Sequence, residues 1–348
     1  MTIVWPFTTA ELTAALRRYL DDADLRILNI SEEPIDARHA MGLIRGVGID
    51  LERARHEEHY SYVLKEPQAT RLGLAGAGRR EVGLYRSLTT QLTLTVPELV
   101  ACDSTGTWLM LEPYPTEVQP EHWTADHYRQ AVVNLVKLHD RFWNLGEDLM
   151  AYPWLGRPLT AELNVYVMAA AQAMEIIFQR GTPSVVTDSM RFATTLARLI
   201  SEAEIVSRFL QSTPQTLLHG DYWPGNISVD EDGHHVVYDW QMVSVGPGVI
   251  DLLVLINNSR MLLSPLSVEP AELIELYRSE IAVRGGKTWS QVEWEFLWDF
   301  SMMWRFVQEW FSLLAQPTKY VIHDYLLEQV WLEPLDRAVF RWMKHLQG

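Results

Sequence analysis

Residues 217–241 of this 348-residue chain, LLHGDYWPGNISVDEDGHHVVYDWQ, concentrate side chains that could do chemistry. An apolar strand end, Leu217 and Leu218, delivers His219, Gly220 and Asp221 into a loop. Asn226 follows five positions after Asp221, at the start of a short strand, Ile227–Val229. The turn Asp230 to Gly233 reverses the chain, and a further strand, Val236–Tyr238, ends in Asp239. Such a hairpin brings Asp221, Asn226 and Asp239 to one end of a small sheet. Two carboxylates and an amide are hard oxygen ligands, suited to Mg²⁺, which takes a few protein oxygens and completes its shell with water and phosphate. One aspartate to orient a hydroxyl, with an asparagine and a second aspartate to hold metal on phosphates, is the equipment of phosphoryl transfer.

The elements that must position these residues fall into two textures. A leading helix from Thr8 to Asp22 carries Leu12, Leu16 and Leu20 on one face behind a threonine start signal. Strand-like runs follow at Leu25–Ile30, Leu43–Leu51 and Tyr60–Lys65, with the charged segment Arg53 to His59 as a hairpin tip. Arg79 to Leu88 reads as an interposed helix, and Leu99–Cys102 and Trp108–Leu111 as two more strands. Five strands and two helices make a small α+β lobe over residues 1–112. From Pro113 the stretch EPYPTEVQPEHW, three prolines in twelve residues, reads as a linker. Residues 113–348 are then mainly helical: Ala125–Leu145, Leu159–Arg180, Met190–Leu210, Pro270–Arg284, Gln291–Leu314 and Tyr320–Leu346. The expected fold class is therefore α+β, a small N-terminal sheet lobe with one key helix and a larger helical C-terminal lobe.

Composition narrows the field. With 48% hydrophobic residues the chain can build a large core, and the single cysteine, Cys102, excludes a disulfide framework or a Cys-based metal site. A formal charge of −16 argues against a nucleic-acid or anionic-membrane surface. The start MTIVWPFTTAEL lacks the order of a signal peptide, and the most apolar stretch, Trp294 to Ala315, is interrupted by Glu295, Asp299, Arg305 and Glu309. A cytoplasmic protein is the expectation.

His219-Gly220-Asp221-Tyr222-Trp223-Pro224-Gly225-Asn226, followed by Asp239-Trp240-Gln241, resembles the aminoglycoside phosphotransferase and choline-kinase-like family, relatives of the protein kinases, in which the motif reads H-R-D-x-x-x-x-N with a later D-F-G. Gly246-Pro247-Gly248-Val249-Ile250-Asp251-Leu252 is similar to the family's G-x-x-x-x-D-L segment. The resemblance implies a bilobal protein-kinase-like fold that moves the γ-phosphoryl group of ATP or GTP to a hydroxyl of a small molecule. It implies Asp221 as catalytic base, Asn226 and Asp239 as Mg²⁺ ligands, and His219 and Asp251 as supports of the loop. It further implies Lys65, ending Tyr62-Val63-Leu64-Lys65, as the lysine on the α- and β-phosphates, with Glu81 as its partner. Glu112 and Tyr114 fall where the inter-lobe hinge would present backbone to adenine.

No G-x-G-x-x-G precedes Lys65. The turn Asp36 to Gly42 is the preferred phosphate-covering loop, and Gly46-Val47-Gly48 the alternative. Other matches fail on context: Gly286-Lys287-Thr288 has Ile281 where a Walker A motif needs glycine, His56–His59 sits in a charged tip, His139 reads as a core hydrogen-bonder, and Gly76-Ala77-Gly78 as a flexible loop. Glu269, Glu272, Glu275, Glu280, Glu293, Glu295, Asp299 and Glu309 would favour a cationic acceptor if they faced the cleft, and are solvated helix faces otherwise. Two rival readings are a catalytically silent nucleotide-binding scaffold of the same fold and a metal-dependent phosphoester hydrolase. The first needs no metal ligands, and the second no Lys65/Glu81 lobe.

Overall fold

The computed structural model describes residues 4–35, 43–67, 75–114, 118–263, 265–285, 288–316 and 321–346. The chain divides into two compact units: Met1–Thr70, Leu74–Glu117 and Gly225–Met242 form the first, and Arg71–Gly73, Val118–Pro224 and Val243–Gly348 the second. The hairpin after Asn226 thus groups with the N-terminal residues.

The first unit opens with α1 (Thr9–Tyr19), started by a capping box in which Thr8 Oγ1 accepts the Glu11 N–H and the Glu11 carboxylate accepts the Thr8 N–H. Strands β1 (Arg26–Glu33), β2 (Leu43–Arg53) and β3 (His56–Glu66) follow, then α2 (Ala77–Ser87), β4 (Leu99–Cys102) and β5 (Leu109–Leu111). They make a five-stranded antiparallel sheet in the order β1-β2-β3-β5-β4. Leu12 and Leu16 of α1 pack on Val47, Ile49, Leu51, Tyr62, Leu64 and Met110. Alternation along β3 then turns Lys65, next to Leu64, to the opposite face. The hairpin tip is tighter than the sequence suggests. Pairing continues to Arg53↔His56, and Ala54 and Arg55 close the turn with φ of 48° and 66°. Two central residues with positive φ match the twist of a hairpin, but no Asn-Gly marks them here. His59 therefore lies on a strand, with Nδ1 2.6 Å from Asp50 and Nε2 2.8 Å from Glu33.

The second unit contains α3 (Ala125–Arg141), α4 (Leu163–Arg180), the short α5 (Ser184–Thr187), α6 (Met190–Ser201), α7 (Ala203–Gln211) and β6 (Thr216–Leu218). The chain then supplies β7 (Ile227–Val229) and β8 (His235–Val237) to the first unit as an antiparallel pair. Back in the second unit, β9 (Ser244–Gly246) pairs with β6, and α8 (Val249–Leu262), α9 (Pro270–Gly285), α10 (Gln291–Arg305), α11 (Phe311–Ala315), α12 (Asp324–Leu327) and α13 (Glu333–Leu346) complete it. The expected helix Met190–Leu210 is two helices divided at Glu202, and π-turns at Phe306–Trp310 and Glu328–Leu332 interrupt the last two long helical patterns. Helix α8 has no counterpart among the sequence expectations. Twelve of its fourteen residues are buried, so no polar face marks a 3.6-residue period. No helix among the described residues is long and apolar enough to cross a membrane.

Candidate active site

In the first unit, Lys65 ends the buried run Tyr62–Lys65 of β3 and is paired in register with Leu109 of β5. Its ammonium lies 2.7 Å from Glu81 Oε2 on α2 and 2.5 Å from Asp239 Oδ1. All three are buried, so one cation serves two carboxylates out of water. Burial alone would lower the Lys65 ammonium, but Asp239 and Glu81 outweigh it and its pKa is raised. Burial pushes the Glu81 carboxyl up to about 7, opposed by Lys65 and aided by Asp239.

Helix α2 reaches this position through a close approach. A Cβ on Gly78 would stand 2.0 Å from the Gly106 carbonyl oxygen, so only glycine lets the helix start pack on the turn before β5. Gly76-Ala77-Gly78 is thus a helix start, not the flexible loop expected. Arg80 Nε donates to the Gln241 carbonyl at 2.9 Å and ties α2 to the segment just after Asp239.

Asn226 and Asp239 leave the same end of the β7–β8 hairpin. Ile227 faces Val237, and the Tyr238 N–H donates to the Asn226 carbonyl at 3.1 Å. Asp239 sits at φ 63°, a left-handed conformation that aspartate tolerates better than most side chains. Both side chains are buried, at 4% and 8% exposure. Their oxygens fit a hard divalent cation. Mg²⁺ is commonly held by one or two protein oxygens with water and phosphate completing its shell, a demand these two side chains meet.

In the second unit, β6 leads into the loop that carries Asp221. Gly220, at φ 84°, makes the bend between His219 and Asp221. Asp251, in the first turn of α8, accepts the His219 N–H at 2.7 Å and the Gly220 N–H at 2.9 Å, one on each carboxylate oxygen. His139 Nε2 approaches the same carboxylate at 3.4 Å while its Nδ1 lies 2.9 Å from the Tyr277 hydroxyl. A Nε2–H tautomer satisfies both contacts, so His139 is a buried hydrogen-bonder. His219 Nδ1 accepts the Asp221 N–H at 3.1 Å, and the Tyr222 hydroxyl anchors the loop to the Ala131 carbonyl on α3 at 3.0 Å. Asp221 Oδ1 is 3.4 Å from Asn258 Nδ2 on α8 and 3.6 Å from Arg305 Nη2 at the end of α10.

A profile of the phosphotransferase enzyme family (APH) matches residues 46–277, about two thirds of the chain. The chain belongs to the phosphotransferase enzyme family. Its structure is similar to a thermostable mutant of aminoglycoside phosphotransferase APH(4)-Ia in ternary complex with ADP and hygromycin B, at 14% identity over 96% of this chain and 98% of that one, with a TM-score of 0.51. It is likewise similar to an aminoglycoside phosphotransferase from Alicyclobacillus acidocaldarius, at 11% identity over 99% and 98% of the two chains, TM-score 0.51. Choline kinase LicA from Streptococcus pneumoniae matches at 13% identity over 91% and 94%, TM-score 0.49. No curated protein sequence matches the chain. The fold is the protein-kinase-like fold of these aminoglycoside phosphotransferases.

Two residues near Asp221 in this phosphotransferase escaped the sequence reading. Arg305 is fully buried, ion-paired with Glu309, and its Nε and Nη1 make no hydrogen bond among the described residues. Asn258 lies on the unexpected helix α8. The available signal for Arg305 was a lone base inside the apolar stretch 294–315. The acidic residues considered as a cleft lining are mostly engaged elsewhere. Glu272 pairs with Arg129, Glu275 with Arg278, Glu280 with Arg284, and Glu295 and Asp299 share Arg341. Glu293 caps α10 at Ser290, and Glu269 is exposed. Glu309 joins Asp221 through Arg305.

At the expected hinge, the Tyr19 hydroxyl donates to Glu112, and the Glu112 N–H donates to the Glu98 carbonyl at 3.0 Å. Tyr114 stacks on Tyr238, the neighbour of Asp239, with ring centroids 4.3 Å apart. Gly46 and Gly48 lie within β2, where a Cβ on either would strike Glu33 of β1, so they permit strand packing rather than form a loop. The other candidate phosphate-covering turn, Asp36 to Gly42, lies outside the described residues, as do Gly286 and Lys287.

Proposed function

We propose that this phosphotransferase moves the γ-phosphoryl group of ATP to a hydroxyl of a small molecule, with Mg²⁺ as cofactor. The observation that carries the reading is the buried ammonium of Lys65 between Glu81 and Asp239, because a phosphoryl-transfer site needs a fixed cation beside its metal-binding carboxylate. Lys65 would contact the α- and β-phosphates, with Glu81 fixing its direction. Asn226 and Asp239 would hold the ion, whose positive charge would counter the negative charge developing on the phosphate oxygens. Asp221 would accept a hydrogen bond from the acceptor hydroxyl and take its proton as the new P–O bond forms. The Glu112–Tyr114 segment would offer backbone groups to the nucleobase. Such catalysis is chiefly positioning and charge neutralisation.

For the acceptor, Asp221, Arg305 and Glu309 together carry a formal charge of −1, which favours an amine-bearing alcohol, aminoglycoside-like or choline-like. Incubation with γ-labelled ATP and a panel of hydroxylated amines, sugars and antibiotics tests the reading. Label should move to an acceptor in a Mg²⁺-dependent manner. A chain that binds nucleotide but labels nothing would be a scaffold, and release of inorganic phosphate irrespective of acceptor would mark a hydrolase.

A further inference from the structure

A second concave site lies within the first unit, where the C-terminal turns of α1 and α2 meet β4. The cavity is about 440 Å³, within the size range of small-molecule sites. Its wall includes Arg18 and Tyr19 from α1, Arg86 from α2, Val100 and Cys102 from β4, and Ser104 from the following turn. In a chain with a formal charge of −16 this lining holds two arginines and no acid. Neither Arg18 nor Arg86 is ion-paired among the described residues. The nearby carboxylates stand outside the lining: Glu98 and Glu112 accept from the hydroxyl of the lining residue Tyr19, and Asp103, held by the hydroxyls and backbone of Thr105 and Thr107, acts on the Cys102 thiol.

A helix C-terminus favours basic residues through its dipole, which accounts for Arg17 and Arg18 at the end of α1 and Arg86 at the end of α2. It does not account for Arg18 and Arg86 both facing one cavity. Both guanidinium groups act on the Cys102 thiol, whose pKa is raised by burial and by Asp103 against the pull of Arg86 and Arg18. We propose that this cavity is a binding site for a phosphomonoester with a small apolar body, the phosphate between Arg18 and Arg86 and the apolar part on Tyr19 and Val100. Two guanidinium forks suit a phosphate dianion better than any neutral group, and Ser104 adds a hydroxyl donor.

Cys102 is the chain's one cysteine, so its alkylation reports on this cavity alone. The measurement is the rate of Cys102 modification by neutral iodoacetamide at alkaline pH, with phenyl phosphate as the probe and phenol as its uncharged counterpart. Phenyl phosphate should slow alkylation several-fold and saturably. Phenol should not, and the double variant Arg18→Ala/Arg86→Ala should lose the protection. Both arginines are exposed, so that variant should fold, and circular dichroism checks it. Protection should persist in Lys65→Ala, which impairs the proposed nucleotide site, under conditions where circular dichroism shows that variant folded. Absent protection, equal protection by phenol, protection unchanged in the double arginine variant, or protection lost in folded Lys65→Ala would each overturn the proposal.

Discussion

Lys65 Nζ lies closer to Asp239 Oδ1, at 2.5 Å, than to either oxygen of its helix partner Glu81, at 2.7 and 3.0 Å. The residue proposed for the metal is thus held by the residue proposed for the phosphates. An ion at Asp239 would compete with the lysine for the same oxygen, and release of Lys65 towards phosphate would accompany metal binding.

Lys65→Met should therefore do more than weaken phosphate binding. It leaves two buried carboxylates side by side without a cation, and breaking a buried ion pair by removing one partner costs roughly 3–5 kcal/mol. Thermal melts should show a marked loss of stability, partly restored by millimolar Mg²⁺ and partly by adding Glu81→Gln. A Lys65→Met protein as stable as wild type, and indifferent to Mg²⁺, would dissolve the coupling argued here.

Asp221→Asn keeps the shape of the loop residue and removes its ability to take a proton. A general base contributes about 10²–10⁴-fold, so kcat should fall by at least two orders of magnitude. Nucleotide affinity by calorimetry should change little, because Lys65 and Asp239 are untouched. Near-normal turnover in this variant would remove Asp221 from its proposed role.

The sheet, the helix bearing Glu81 and the β7–β8 hairpin were legible because each leaves a local mark: alternation in Tyr60–Lys65, one apolar face in Val82, Tyr85 and Leu88, and a DEDG turn. What escaped lacks such marks. Helix α8, which supplies Asp251 and Asn258, is buried on nearly every side and so shows no amphipathic period. The Ala54–Arg55 turn uses residues that seldom adopt positive φ, and tertiary packing overrides local preference. The Arg305 contact with Asp221 joins positions far apart in sequence, and periodicity does not reveal which side chains meet across a core.

Asp251 orders the backbone of the loop that carries Asp221 by accepting from two consecutive N–H groups while also meeting His139. In Asp251→Asn one side-chain oxygen becomes an NH₂ that must face a donor. An unsatisfied buried donor costs roughly 1–3 kcal/mol, and the Asp221 backbone loses its footing through His219. Urea unfolding should show a cost of that size and kcat should fall at least tenfold, while nucleotide affinity should hold. Tyr277→Phe, which removes only the distal hydroxyl, should be milder in both. If the two variants behaved alike, the two backbone contacts would not be what orders the loop.

Asp299 gives a pH dependence with a definite sign. It is 9% exposed on α10, and burial raises its carboxyl to about 6, although Arg341 Nη1 lies 3.2 Å away and pulls it down. Unfolded, the group should titrate near the ordinary aspartate value of about 3.9. Between about pH 4 and pH 6 the folded chain therefore holds the proton more tightly than the unfolded chain, so stability falls as pH rises through that window and levels off above it. The shift corresponds to a cost on the order of 3 kcal/mol at neutral pH. Asp299→Asn removes the titration, so it should flatten this part of the profile and leave the protein more stable near pH 7. Arg341 loses little, being 44% exposed. Arg341→Ala should act oppositely, steepening the decline by taking away the ion-pair partner and leaving Arg337 as the weaker cation. The check is a set of urea midpoints for the three proteins across this pH range. An Asp299→Asn profile with the wild-type slope would place the titration on another group.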